Sequence, residues 1–222
     1  MIQLFNIYKT YSGNIHALHD ISFTVKKGGF YFITGPSGAG KSTLLKIIFR
    51  WENVDQGQVL VNGINLSKIR ESNLYILRRH IGVVFQDYKL LPGRTVYENV
   101  ALAQEVIGAS KKSIRLKTWD ALKSVGLTQK RNAYPLQLAG GEQQRVAIAR
   151  AIVNSPKILL ADEPTGNLDP EISQEILKLF IKANQSGVTV LFATHSQNLL
   201  KNTNFPAISL FRGKMTANTD IS

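Results

Sequence analysis

One octapeptide constrains this chain more than any other: Gly35-Pro36-Ser37-Gly38-Ala39-Gly40-Lys41-Ser42, set between an apolar run, Phe30–Thr34, and a helix-like run, Thr43–Ile48. A loop that leaves a strand, turns on glycines and opens a helix is a phosphate-binding loop. Gly35, Gly38 and Gly40 permit the tight turn and expose N–H groups, while the helix that follows points the positive end of its dipole at the same anion. In that setting Lys41 reaches the β- and γ-phosphates and Ser42 offers its hydroxyl to Mg²⁺, with Pro36, Ser37, Ala39 and Thr43 completing the cradle. A strand, loop and helix of this kind require an α/β core around them.

Length and charge bound the rest. At 222 residues, one α/β core with an inserted subdomain is the economical reading. No stretch approaches the ~18 consecutive apolar residues that span a bilayer, and the amino terminus enters a strand-like pattern with no signal-peptide layout, so a cytosolic protein is expected. The absence of cysteine excludes disulfides, zinc knuckles and thiol catalysis. A net charge of +12 admits an anionic ligand, nucleic acid or an acidic membrane surface. The denser patch Lys111, Lys112, Arg115 and Lys117, broken by Ile114 and Leu116, reads as a solvated helix face.

Along the chain, residues 2–8 and 15–25 read as an antiparallel pair, because Ile21, Phe23 and Val25 alternate with Ser22, Thr24 and Lys26. Tyr11 lies between them, an aromatic able to stack on adenine. Gly57–Gly63 gives a short strand closed by Asn-Gly, a hairpin signal. Ile81–Phe85 is another apolar strand, ending at Gln86. From about residue 87 to 155 the spacing is helical, through Val96, Val100, Ala103 and Ile107 and again through Leu116, Trp119, Leu122 and Val125. That stretch reads as a helical subdomain inserted between core segments 1–86 and 156–222.

Leu138-Ala139-Gly140-Gly141-Glu142 then starts a further helix on two glycines, a second N-terminus able to receive an anion. Ile158–Ala161 is a buried parallel-type strand that delivers Asp162 and Glu163 at its carboxyl end. In a parallel sheet those ends share one edge, so Asp162 can face Mg²⁺ held at Ser42, and Glu163 can polarise the attacking water. Another buried strand, Val188–Ala193, carries His195 to the same edge, where it can bond the γ-phosphate and position the water. The last strand, near 207–211, is expected to turn at Gly213 and to fray from Thr216 onward.

Taken in order, Tyr11, the phosphate loop, Gln86, Leu138–Glu142, Asp162-Glu163, Asn167-Leu168-Asp169 and His195 resemble the ATP-binding-cassette ATPases over the whole length. The resemblance implies their P-loop fold: a mostly parallel core sheet, an antiparallel β piece and a helical subdomain. It implies ATP and Mg²⁺ as cofactors, Glu163, His195 and Gln86 as catalytic, Ser42, Gln86 and Asp162 toward the metal, and Asp169 as nucleotide-binding. It further implies a homodimer in the ATP-bound state, each ATP lying between one phosphate loop and the other copy's Leu138, Ala139, Gly140, Gly141 and Glu142. Residues 161–169, with Phe49–Glu52 and Arg94–Ala101, are similar to the branch serving lipoprotein release, macrolide-type export and cell division, most of all to the division cassettes. Those imply an integral membrane partner resembling FtsX, peripheral location on the cytoplasmic face of the plasma membrane, and no direct contact with nucleic acid. Tyr88, Leu90, Leu91, Pro92 and Tyr97 fall where the partner's cytoplasmic helix docks, or else are local core.

The sequence departs from the family pattern at Ala139, usually Ser, and at Ser196, often Asp. Alanine at 139 lacks the hydroxyl that in the family donates to the γ-phosphate across the dimer, which weakens closure and keeps open a nucleotide-gated scaffold with little hydrolysis. A DNA-maintenance relative would carry a long coiled coil or zinc module in the insert; none is present between Gln86 and Leu138.

Overall fold

The computed structural model describes residues 1–201 and 203–218. Strand β1 (Ile2–Tyr11) pairs antiparallel with β2 (Ile15–Val25), from Ile2 opposite Val25 to Tyr11 opposite Ile15. β3 (Phe30–Thr34) runs through the phosphate loop into α1 (Lys41–Ile48), and the Asn62-Gly63 turn joins β4 (Gln56–Val61) to β5 (Ile64–Asn65). A short helix α2 (Leu74–Arg78), with too few residues to declare a period, precedes β6 (Ile81–Phe85). Three helices follow: α3 (Val96–Val106), α4 (Lys111–Ser124) and α5 (Gly140–Ile152). The chain ends as β7 (Ile158–Asp162), α6 (Pro170–Gln185), β8 (Thr189–Thr194), α7 (Gln197–Lys201), β9 (Ala207–Phe211) and β10 (Lys214–Asn218).

The strands form two sheets, ordered β2-β1-β4-β5 and β10-β9-β3-β8-β7-β6. The first is antiparallel. In the second every pair but β9–β10 is parallel. Side chains of the parallel strands alternate between two cores, as a period of two demands. Tyr31, Ile33, Leu160 and Leu191 pack with Leu44, Ile47 and Ile48 of α1 between the sheets. Phe30, Phe32, Leu159 and Phe192 turn the other way, onto Val146 and Ile148 of α5 and Phe180 of α6. Phe192 meets Phe180 edge-on at 5.0 Å. Each such fully buried side chain contributes about 1.5–3 kcal/mol.

Fraying from Thr216 is not what the structure shows. Lys214–Asn218 forms β10, with Ala217 opposite Ser209 and Asn218 opposite Ile208. The polar sequence hid a strand that backbone pairing to β9 sustains, while residues 219–222 lie outside the described residues. The parallel register sets the site: Thr34 is level with Thr194, Asp162 with Ala193, and Phe85 with Asp162. The carboxyl ends of β3, β8, β7 and β6 therefore deliver their loops to one edge.

Candidate active site

The phosphate loop is shaped by what lies beside it. A Cβ on Gly35 would sit 2.1 Å from the Leu210 carbonyl oxygen, and one on Gly40 would sit 2.6 Å from that of Ala17; both residues also have positive φ. No other residue fits those two positions. Lys41 is 5% exposed. Its ammonium donates to the carbonyl oxygens of Gly35 at 2.7 Å and Pro36 at 3.0 Å, and pairs with Glu163 Oε1 at 3.1 Å.

Ser42 donates from Oγ to Asp162 Oδ1 at 2.8 Å. A hydroxyl and a carboxylate oxygen held this close are the hard donors that Mg²⁺ takes beside substrate phosphates. Burial pushes the Asp162 carboxyl above the ordinary carboxylate range and neighbouring Glu163 adds to this, while the Ser42 bond and Lys46 and Lys41 pull it back. A carboxylate so placed gains from a cation.

Glu163 has φ +48. A left-handed conformation costs a residue with a Cβ about 1–2 kcal/mol, and its appearance directly after the buried strand bends the carboxylate back over the sheet edge. Its N–H donates to Ala193 at 3.0 Å and its carbonyl accepts from Gly166 at 3.1 Å, which fixes the turn. His195 Nδ1 lies 2.8 Å from Glu163 Oε2, and the His195 backbone N–H donates to the same oxygen at 3.3 Å. Lys41, Glu163 and His195 thus form one connected chain. Gln86 Nε2 donates to Asn167 Oδ1 at 3.4 Å.

A cavity of about 550 Å³ gathers Tyr11, Pro36, Ser37, Gly38, Ala39, Gly40, Lys41, Ser42, Thr43, Gln86, Glu163 and His195. Tyr11 Oη stands 3.5 Å from Thr43 Oγ1. Ala139, Gly140, Gly141, Glu142 and Asp169 are elsewhere: they line a separate cavity of about 560 Å³ that shares no residue with the first. Leu138 is buried in the core with the side chains of α5. Ala139 caps α5 without a side-chain acceptor, and the Glu142 carboxylate accepts from the Ala139 N–H at 3.1 Å. Lys130 holds that carboxylate below its usual range by a direct hydrogen bond.

Several elements of the site give no signal in the sequence. Ile15, His16 and Ala17 line the first cavity beside Tyr11. Arg150, in the last turn of α5, donates to the Lys89 carbonyl at 2.6 Å and the Tyr88 carbonyl at 2.7 Å, tying the carboxyl end of that helix to the segment after Gln86. Both acceptor residues have positive φ, 58 for Tyr88 and 49 for Lys89, which turns their carbonyls toward the guanidinium. Tyr88, Leu90 and Tyr97 pack partly buried against the core, whereas Leu91 stays 39% exposed.

Residues 18–166 match the ABC transporter family. The chain is 47% identical over 215 residues to the cell division ATP-binding protein FtsE of Streptococcus pneumoniae, covering 97% of this chain and 94% of the relative. It is 46% identical over 215 residues to FtsE of Escherichia coli, covering 97% of each. Among solved structures, it superposes with a TM-score of 0.91 and 37% identity on a dimeric ATP-binding cassette in a post-hydrolysis state bound to ADP and Pi, covering 100% of this chain and 99% of the other. The family match takes in the phosphate loop, the Gly140-Gly141 helix start and both carboxylates, and the relatives align along almost the whole chain, so this protein belongs to the ABC transporter family and is an ATP-binding-cassette ATPase.

Proposed function

We propose that the chain is the ATPase subunit of a cell-division complex of the FtsE type, closing as a homodimer around two ATP and driving an integral membrane partner resembling FtsX. The observation that carries the dimer is the division of the site. Glu163, Lys41 and Ser42 meet in one cavity, while the second phosphate-seeking helix start opens into another. Within one chain the two line cavities with no residue in common. A second copy, turned head to tail, places its Gly140 and Gly141 N–H groups over the nucleotide held by the first.

Each residue then has a defined task. Tyr11 stacks on the adenine, Gly35 to Thr43 hold the phosphates, and Ser42, Asp162 and Gln86 supply oxygen to Mg²⁺, which neutralises phosphate charge when bound. Phosphate oxygens compete for the Lys41 ammonium and so draw it from Glu163. Glu163, freed on that side and still oriented by His195, accepts the proton of the attacking water. Loss of the γ-phosphate removes the link between the copies, so hydrolysis reopens the dimer. Residues 1–86 and 156–222 serve as the nucleotide core and 87–155 as the moving helical part, within which Arg150 holds the Tyr88-Lys89 segment that follows Gln86.

The partner contact rests on exposed Leu91. Leu91→Asp should leave ATP binding intact and abolish co-purification with the FtsX-type membrane protein encoded in the same cell. Retained co-purification would remove Leu91 from the docking surface. Co-purification of the parent chain with an exporter permease instead would place it in the lipoprotein-release or macrolide-export branch.

A further inference from the structure

Helix α4 covers the core with Thr118, Ala121 and Leu122, all buried. Were this its whole task, the opposite side would carry solvated polar groups. Instead Leu116 is 55% and Trp119 44% exposed, and Lys112, Arg115 and Lys123 are exposed with them. With 3.6 residues per turn, Lys112, Leu116, Trp119 and Lys123 fall within roughly 60° of arc, pointing away from the core. The Arg131 guanidinium lies over the Trp119 ring, 5.7 Å from its centre, in a cation–π contact. Lys111, Lys112, Arg115, Lys117 and Lys123 oppose a single carboxylate on this helix, Asp120.

We propose that this face of α4 rests on a membrane surface carrying acidic phospholipid, with Leu116 and Trp119 entering the headgroup boundary and Lys112, Arg115 and Lys123 meeting lipid phosphates. An indole and an aliphatic side chain framed by long cationic stems is the side-chain set of a helix lying in that boundary. Nucleic acid would satisfy the cations but leave Leu116 in water. An acidic peptide could meet the charges, yet its carboxylates offer no apolar layer for Leu116 and Trp119 to enter. Among the described residues no helix is long and apolar enough to cross a membrane, so the contact is superficial. It needs no membrane partner and is independent of the ATP cycle proposed above.

The test uses the full chain and vesicles of phosphatidylcholine with and without phosphatidylglycerol. The chain has two tryptophans, so Trp51→Phe leaves Trp119 as the sole reporter. Acidic vesicles should sediment the protein and shift Trp119 emission to the blue; neutral vesicles should do neither, and high salt should reverse both. Each basic residue near an anionic surface raises partition about fivefold, so Lys112→Glu with Arg115→Glu should lower it at least thirtyfold. Leu116→Ser should weaken binding without changing its salt dependence. These positions are exposed, and unchanged ATP binding by the variants confirms that they fold. Equal binding to both vesicle types, binding without a Trp119 shift, undiminished binding by the charge-reversed variant, or no binding at all would each overturn the proposal.

Discussion

Restoring the hydroxyl at position 139 separates two effects that the structure places on one atom. Ala139 is the N-cap of α5, with φ −64 and ψ 156, and it offers no side-chain acceptor to the first turn. Ser in that backbone geometry accepts from an orphan N–H and contributes about 1 kcal/mol to the helix whether or not nucleotide is present. For a domain of this size that is a rise of about 2–4 °C in melting temperature. The same hydroxyl faces the second cavity and can donate to the γ-phosphate carried by the other copy. A hydrogen bond to a charged group contributes about 1.5–3 kcal/mol, or roughly ten- to a hundredfold in affinity per sandwiched nucleotide, and a symmetric dimer has two. Helix capping is common to monomer and dimer, so it cancels from the association constant. Ala139→Ser on a Glu163→Gln background should therefore melt higher without nucleotide and dimerise at least tenfold more tightly with ATP, with no change in association with ADP. Sedimentation and thermal melting measure the two separately. A higher melting temperature with unaltered ATP-dependent association would refute the phosphate contact and leave only the cap.

Three further outcomes follow from the site. The raised Asp162 carboxyl binds its proton more tightly folded than unfolded, so its contribution to stability is present below the ordinary carboxylate range and lost as pH rises through the raised value. Asp162→Asn should accordingly raise the melting temperature at neutral pH without Mg²⁺ while abolishing Mg²⁺-dependent ATP turnover; an unchanged or lower melting temperature would count against this sign. Arg150→Ala leaves the Tyr88 and Lys89 carbonyls without their guanidinium and should cost about 1.5–3 kcal/mol in urea unfolding at constant m, whereas a loss below about 0.5 kcal/mol would show the contact to be incidental. Gly35→Ala drives a methyl group into the Leu210 carbonyl and should eliminate ATP binding; near-normal affinity would mean that β9 yields.

The convergence of Lys41, Asp162, Glu163 and His195 was legible because parallel strands with continuous apolar cores must end on one edge, and the polar residues follow those cores directly. The helix start at Gly140 was legible from its glycines, but its distance from the phosphate loop was not. That distance depends on how α5 packs against Val84 and Leu159, which no local pattern encodes. The left-handed turn at Glu163 is equally silent, because a glutamate adopts it only where neighbouring backbone bonds enforce it. Nothing in the local pattern marks Arg150; its role exists because Tyr88 and Lys89 turn their carbonyls toward it. The strand at Thr216–Asn218 was missed because its polar sequence gives no apolar alternation, whereas the backbone pairs with β9.

The central claim is that a complete site is built by two copies. Glu163→Gln keeps the phosphate loop, Ser42 and Asp162 but removes the group that accepts the water's proton, so ATP should bind, persist and hold the copies together. Sedimentation velocity of this variant with MgATP should give a dimer and with MgADP a monomer, with turnover reduced by at least about a hundredfold. A monomer in both nucleotides, or wild-type turnover that does not vary with protein concentration, would contradict the account.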